Sequence, residues 1–94
     1  MKYQEKSVCF PLGKAAITRA ALSTLNAQDV WTSLQRHASG DWGELSAQDE
    51  QENSIALEQD DRLFSVYHDR NGVMFYIITE ADRSATTILL PEDY

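Results

Sequence analysis

The chain has 94 residues, 43% of them apolar and 24% charged, with a formal net charge of -7. That balance is too apolar for a disordered chain and fits one soluble globular domain over residues 1–94. No apolar run approaches the roughly 18 residues that cross a bilayer, and Met1 to Lys6 is polar with no apolar signal core behind it, so a cytoplasmic location and no membrane contact are expected.

Cys9 is the only cysteine, so no internal disulfide can form, and between Val8 and Phe10 it reads as a small buried core residue. Pro11 and Gly13 interrupt the next stretch, which suggests one edge strand near Leu12 to Ile17. Thr18 can cap a short helix over Arg19 to Leu25, ended by Asn26. Asn26 can in turn cap a second helix, in which Ala27, Val30, Trp31, Leu34 and Ala38 recur at spacings of three and four and form an apolar stripe. Gly40 can end that helix in a left-handed turn. Ser46 with Asp49 resembles a capping box with Asp in place of Glu, and it opens a third helix running to about Gln59. Its apolar residues are few, chiefly Ala47, Ile55, Ala56 and Leu57, so it should be largely exposed.

The whole charge excess lies in that region. Glu44, Asp49, Glu50, Glu52, Glu58, Asp60 and Asp61 fall in a segment without Lys or Arg, and the remaining acids and bases balance. Such a patch repels nucleic acid and anionic lipid and attracts a basic partner, unless it is simply a solvated helix face. Arg62 to His68 then reads as a strand with His68 at a sheet edge. Arg70-Asn71-Gly72 supplies hairpin chemistry, and Val73 to Thr79 returns as the partner strand. Val73, Phe75 and Ile77 alternate with Met74, Tyr76 and Ile78, both sets apolar, which places this strand in the middle of a sheet between Arg62 to His68 and Thr86 to Leu90. The expected architecture is an α+β fold of two layers, about three helices packed on a three- to four-stranded antiparallel sheet.

Two polar clusters could carry chemistry. In the first, Arg36 to Glu44, glycines bracket Asp41-Trp42. Trp42 reads as a plug over the core or a binding surface, and Asp41 as a turn cap or a ligand group. His37, with Asp41 and Glu44 nearby, has the residue types of a general base. In the second cluster, Thr79 to Thr87, Arg83 could hold a carboxylate or phosphate, with Glu80 or Asp82 as base and Ser84 or Thr86 as donors. The same groups could equally satisfy one another in a self-contained turn, Arg83 pairing with Asp82 or Glu80. No nucleophile elbow, P-loop, dinucleotide fingerprint or zinc spacing occurs, and neither a metal nor a cofactor is implied.

Read in this order, Arg36-His37 with Gly40-Asp41-Trp42-Gly43-Glu44, Asn53 and Ala56, and the string Ile78-Thr79-Glu80-Ala81-Asp82-Arg83-Ser84-Ala85-Thr86-Thr87-Ile88-Leu89-Leu90-Pro91 with Tyr94 resemble a family of short bacterial proteins. These are common on plasmids and integrated mobile elements and are described as plasmid-related. The resemblance covers residues 12 to 94 and departs at Gln59-Asp60-Asp61, where many relatives have a glycine-bearing turn. It implies carriage on mobile DNA and names no activity.

The expected role is therefore a small non-catalytic interaction protein, meeting a protein partner with a basic surface through the acidic helix (44–61) and the polar turn (79–87). Arg36, Trp42, Glu44, Thr79, Ser84 and Thr86 are its binding candidates. An acidic mimic of DNA is a variant of this reading, whereas direct nucleic-acid binding is opposed by the negative charge and scattered bases. The alternative is a small hydrolase or nuclease-like toxin using His37 with Asp41, Glu80, Asp82 and Arg83, which requires the two clusters to converge.

Overall fold

A computed structural model describes residues 8–94. Strand β1 (Lys14–Ile17) is followed by helices α1 (Arg19–Thr24), α2 (Ala27–Ala38) and α3 (Ala47–Gln59). Strands β2 (Leu63–His68), β3 (Met74–Thr79) and β4 (Ala85–Leu89) come next, then a 3₁₀ turn over Pro91–Asp93. The sheet runs β1-β4-β3-β2. Val73 to Thr79 thus supplies an interior strand, flanked by β2 and β4 as its two-sided apolar pattern requires. Over the described residues the fold is α+β, three helices on a four-stranded sheet.

One feature of the expected sheet is corrected. β2, β3 and β4 form an antiparallel meander, but β1 lies parallel to β4, Lys14 opposite Ala85 and Ile17 opposite Ile88, so the sheet is mixed. A hairpin joins neighbours in an antiparallel sense. β1 and β4 are separated by all three helices and two strands, and so long a connection permits the parallel arrangement.

The helix starts follow their caps. Thr18 Oγ1 accepts from the Ala21 amide, Asn26 Oδ1 from Asp29 and Ser46 Oγ from Asp49. Gly40 takes the left-handed conformation (φ 86°) just beyond α2. At the close of α3 it is Asp60, φ 57°, that turns left-handed, work more often given to glycine but tolerated by Asp.

Leu63, Ser65 and Tyr67 of β2, Phe75, Ile77 and Thr79 of β3, and Thr86 and Ile88 of β4 stand opposite one another and share the sheet face that packs on the helices. Ala21, Leu25 and Leu34 meet this face at one end, and Phe10, Trp42 and Ala56 at the other. The stripe expected on α2 is rotated in the structure. Ser33, Leu34, His37 and Ala38 are buried, while Trp31 is 61% exposed and Ala27 is exposed. Cys9 is also exposed rather than buried, because its neighbour Phe10 takes the inward position. On the opposite face, Phe64, Tyr76 and Tyr94 form an aromatic group with centroids 4.8 to 6.4 Å apart, Tyr94 reaching it from the 3₁₀ turn that packs on β3, and Ile78 and Leu89 beside it are buried.

The exposed edge of β2 is closed. Asn53 of α3 donates from Nδ2 to the Phe64 carbonyl and accepts the Phe64 amide on Oδ1, imitating a neighbouring strand. Two residues on, the Val66 amide donates to Trp42 and the Val66 carbonyl accepts from Glu44. Both devices remove a pairing template that would otherwise invite aggregation.

Candidate functional site

The two polar clusters do meet, and they meet inside the protein. His37, fully buried, points from α2 onto the sheet, with Ser65 Oγ 2.5 Å from Nδ1 and Thr79 Oγ1 2.8 Å from Nε2. Thr79 Oγ1 lies 2.7 Å from Thr86 Oγ1, which donates to the Leu12 carbonyl at 2.7 Å. These contacts place a proton on Nε2, and the depressed pKa of the buried ring leaves Nδ1 without one. The Thr86 proton goes to a carbonyl that can only accept, so Thr79 must donate to Thr86, and Nε2–H of His37 must donate to Thr79. Nδ1 is left as the acceptor for Ser65. The imidazole is neutral, protonated on Nε2, and is the centre of a one-way chain from β2 through α2, β3 and β4 to the segment before β1.

Phe10 and Trp42 seal this chain. Each meets the His37 ring edge-on, at 5.3 and 5.5 Å, and they stack on one another at 6.1 Å. Trp42 is a core plug in this arrangement. Burial, with a further push from the Arg83 charge, lowers the His37 pKa to about 4. A general base needs access to substrate and commonly a carboxylate to orient it. His37 is enclosed, and both its nitrogens are taken by hydroxyls.

The remaining candidates are engaged structurally. Asp41 receives Arg36 in a two-point ion pair, at 2.8 Å from Nε and 3.2 Å from Nη2, and also accepts the Gly43 amide. This pairing raises the Arg36 pKa, the hydrogen bond to Asp41 being the main cause. Tyr67, whose own pKa burial pushes up to about 12, donates to the Asp41 carbonyl. Glu44 lies 2.6 Å from His68 Nδ1 at the surface, and Glu80 lies 3.7 Å from Arg62. Asp82 accepts the Ser84 amide, and its pKa is lowered by the Ser84 hydroxyl and amide.

Arg83 is engaged within its own turn, as the self-satisfied reading has it, but through backbone carbonyls rather than the carboxylates of Glu80 or Asp82. It adopts a left-handed backbone (φ 62°) and spends its guanidinium on carbonyls: Asp61 at 2.6 Å, Glu80 at 3.1 Å, Ala81 at 3.2 Å and Ala56 at 3.3 Å. Two of these acceptors belong to the C-terminal end of α3 and the residues just after it, where a cation is favoured by the helix dipole. Its guanidinium carbon also lies over Phe10, 5.7 Å from the ring centre. Arg83→Met keeps the stem and removes the donors, and urea denaturation should show a loss of about 1–3 kcal/mol. Unchanged stability would mean that water serves those carbonyls equally well.

Two structural residues, Ser65 and Asp69, escape the sequence reading, and a third, Asn53, enters it without a role. Ser65 sits at an inward position of an alternating strand, and a hydroxyl there signals a buried polar partner. Asn53 was noticed only as part of a resemblance. Asp69, buried, accepts the Asn71 and Val73 amides on Oδ1 and the Asn26 amide on Oδ2, tying the β2–β3 turn to the start of α2. These amides, Asn26 first, lower its pKa. Asp immediately before the Arg70-Asn71-Gly72 turn was the available signal. Beside it Asp29, its pKa lowered by Arg70, holds that guanidinium through two oxygens at 3.0 Å.

Among the described residues, no three His, Cys, Asp or Glu side chains are grouped so as to hold a metal ion, and no helix is long and apolar enough to cross a membrane. No protein-family model, curated protein or solved structure matches the chain significantly.

Proposed function

We propose that this chain is a small non-catalytic interaction protein of the mobile-element kind its motifs resemble. It works in the cytoplasm by presenting α3, with the 79–87 turn that holds the C-terminal end of that helix, to a protein partner with a basic surface. One contrast carries this reading. Elsewhere among the described residues, Asp29, Asp41, Asp69, Glu80, Asp82 and Asp93 are each bound to a cation, an amide or a hydroxyl, Glu92 being the exception. The carboxylates of Asp49, Glu50, Glu52 and Glu58 on α3 are exposed and engage no partner among the described residues. Unneutralised charge of one sign on a rigid helix steers an oppositely charged macromolecule.

Affinity capture from bacterial lysate, followed by mass spectrometry, tests this. The immobilised protein should retain a basic partner at low salt, and the Glu50→Lys, Glu52→Lys, Glu58→Lys variant should lose it. Capture indifferent to the triple change would remove α3 from the interaction and overturn the reading.

A further inference from the structure

One groove adds apolar surface to this charge. Asp49, Glu52, Asn53 and Ala56 recur at helical spacing and form a single face of α3, directed at the border of the sheet. Between them and Phe64 lies a groove of about 440 Å³, with Leu45 and Arg62 completing its walls. Leu45, Ala56 and Phe64 provide an apolar lining, and the two carboxylates stand exposed at the rim. Arg62 does not neutralise them. It is directed to Glu80 at 3.7 Å and to the Tyr94 hydroxyl at 3.5 Å. At Phe64 the groove adjoins the aromatic group, that half-buried ring lying 4.8 Å from the half-buried Tyr76 and 6.4 Å from the exposed Tyr94.

We propose that this groove and the adjoining aromatic face form a docking site for a polypeptide segment in which Lys or Arg alternates with large apolar residues. The proposal rests on the interaction reading above and specifies its surface and the chemistry of its partner. A Lys or Arg stem lies along Leu45, Ala56 and Phe64 with its cation between Asp49 and Glu52, as long basic side chains bury their methylenes while keeping the charge at a polar rim. The adjacent apolar residue covers Tyr76 and Tyr94, the latter 72% exposed. Charge complementarity selects this occupant. A second copy would bring another chain of net charge -7 against the same acidic rim, and nucleic acid would be repelled.

Fluorescence polarisation with two labelled peptides of equal charge tests the site, one alternating Lys with Leu and the other Lys with Ser. The full-length protein should bind the Lys-Leu peptide about tenfold more tightly, the increment expected from covering one large apolar side chain. Tyr94→Ser should remove most of that preference while leaving Lys-Ser binding unchanged. Asp49→Lys with Glu52→Lys should abolish binding of both peptides, whereas Glu50→Lys with Glu58→Lys, the same charge change off this face, should keep the preference. Equal binding of the two peptides, or equal loss in both charge pairs, would overturn the docking site while leaving the acidic-helix reading intact. Binding of neither peptide would overturn both. Sedimentation showing a dimer that Tyr94→Ser dissociates would assign the face to a second copy and overturn the proposal.

Discussion

Replacing His37 with alanine should destabilise the protein by about 3–5 kcal/mol, because the change leaves a cavity behind Phe10 and Trp42 and strips Ser65 and Thr79 of a buried partner. For a domain whose total stability is of order 5–15 kcal/mol, that loss approaches unfolding at ambient temperature. Urea denaturation of the wild type and the variant measures it directly. A loss under about 1 kcal/mol would show that the hydroxyl chain re-forms without the ring. The same residue governs acid stability. Folded His37 takes up its proton only near pH 4, against 6.5 for the ordinary side chain. On acidification the unfolded chain is therefore protonated first, and stability falls by up to about 3 kcal/mol between those two values. His37→Gln, which does not titrate, should lack this slope. The depressed carboxylates of Asp29, Asp69 and Asp82 act in the same direction but at lower pH, below the usual carboxylate value. Equal pH dependence of the wild type and the Gln variant from neutrality to pH 4 would contradict a buried neutral imidazole.

Gly43→Ala should cost about 3–5 kcal/mol, the sum of backbone strain and two displaced hydrogen bonds. Gly43 has φ 76°, and a Cβ added there would lie 2.1 Å from the Val66 carbonyl oxygen and 2.7 Å from the Tyr67 ring. Nothing in that wall is the movable end of a flexible chain. Relief would require Trp42 and Glu44 to release the edge of β2. Gly72→Ala provides the comparison, since Gly72 shares a left-handed φ of 81° but has nothing within 4 Å of the added atom. It should cost only about 1 kcal/mol, the conformational penalty alone. Thermal or urea denaturation of the two variants side by side tests the difference, and equal losses would show that the approach of Gly43 to β2 is not tight.

Much of the fold was legible because its signals are local. Thr18, Asn26 and Ser46 announce their helices through hydrogen bonds that reach only three residues ahead, and the two-sided apolar pattern of Val73 to Thr79 places that strand inside the sheet whatever its neighbours are. The exposure of α3 was also legible, since so few apolar residues occur along it. On α2 the reading failed for a physical reason. Hydrophobicity favours Trp31 over His37 for burial, yet a neutral imidazole with both nitrogens satisfied escapes most of the penalty of leaving water, and only the partners decide whether they will be satisfied. Arg83 is likewise decided by its partners. Surrounded in sequence by Glu80 and Asp82, it reaches past their carboxylates to carbonyls at the end of α3, acceptors that no side-chain pattern records.

The amino-acid sequence by itself determined the elements, their caps, the central strand and the concentration of negative charge on one helix, all set by periodicity and by contacts a few residues long. The tertiary structure decided the parallel placement of β1 and drew His37, Thr79 and Thr86 out of the two polar clusters into an internal frame. His37 finds its partners 28 and 42 residues away, at Ser65 and Thr79. Whether such a group works at the surface or is satisfied in the core depends on which distant hydroxyls the packing of helix on sheet brings to it.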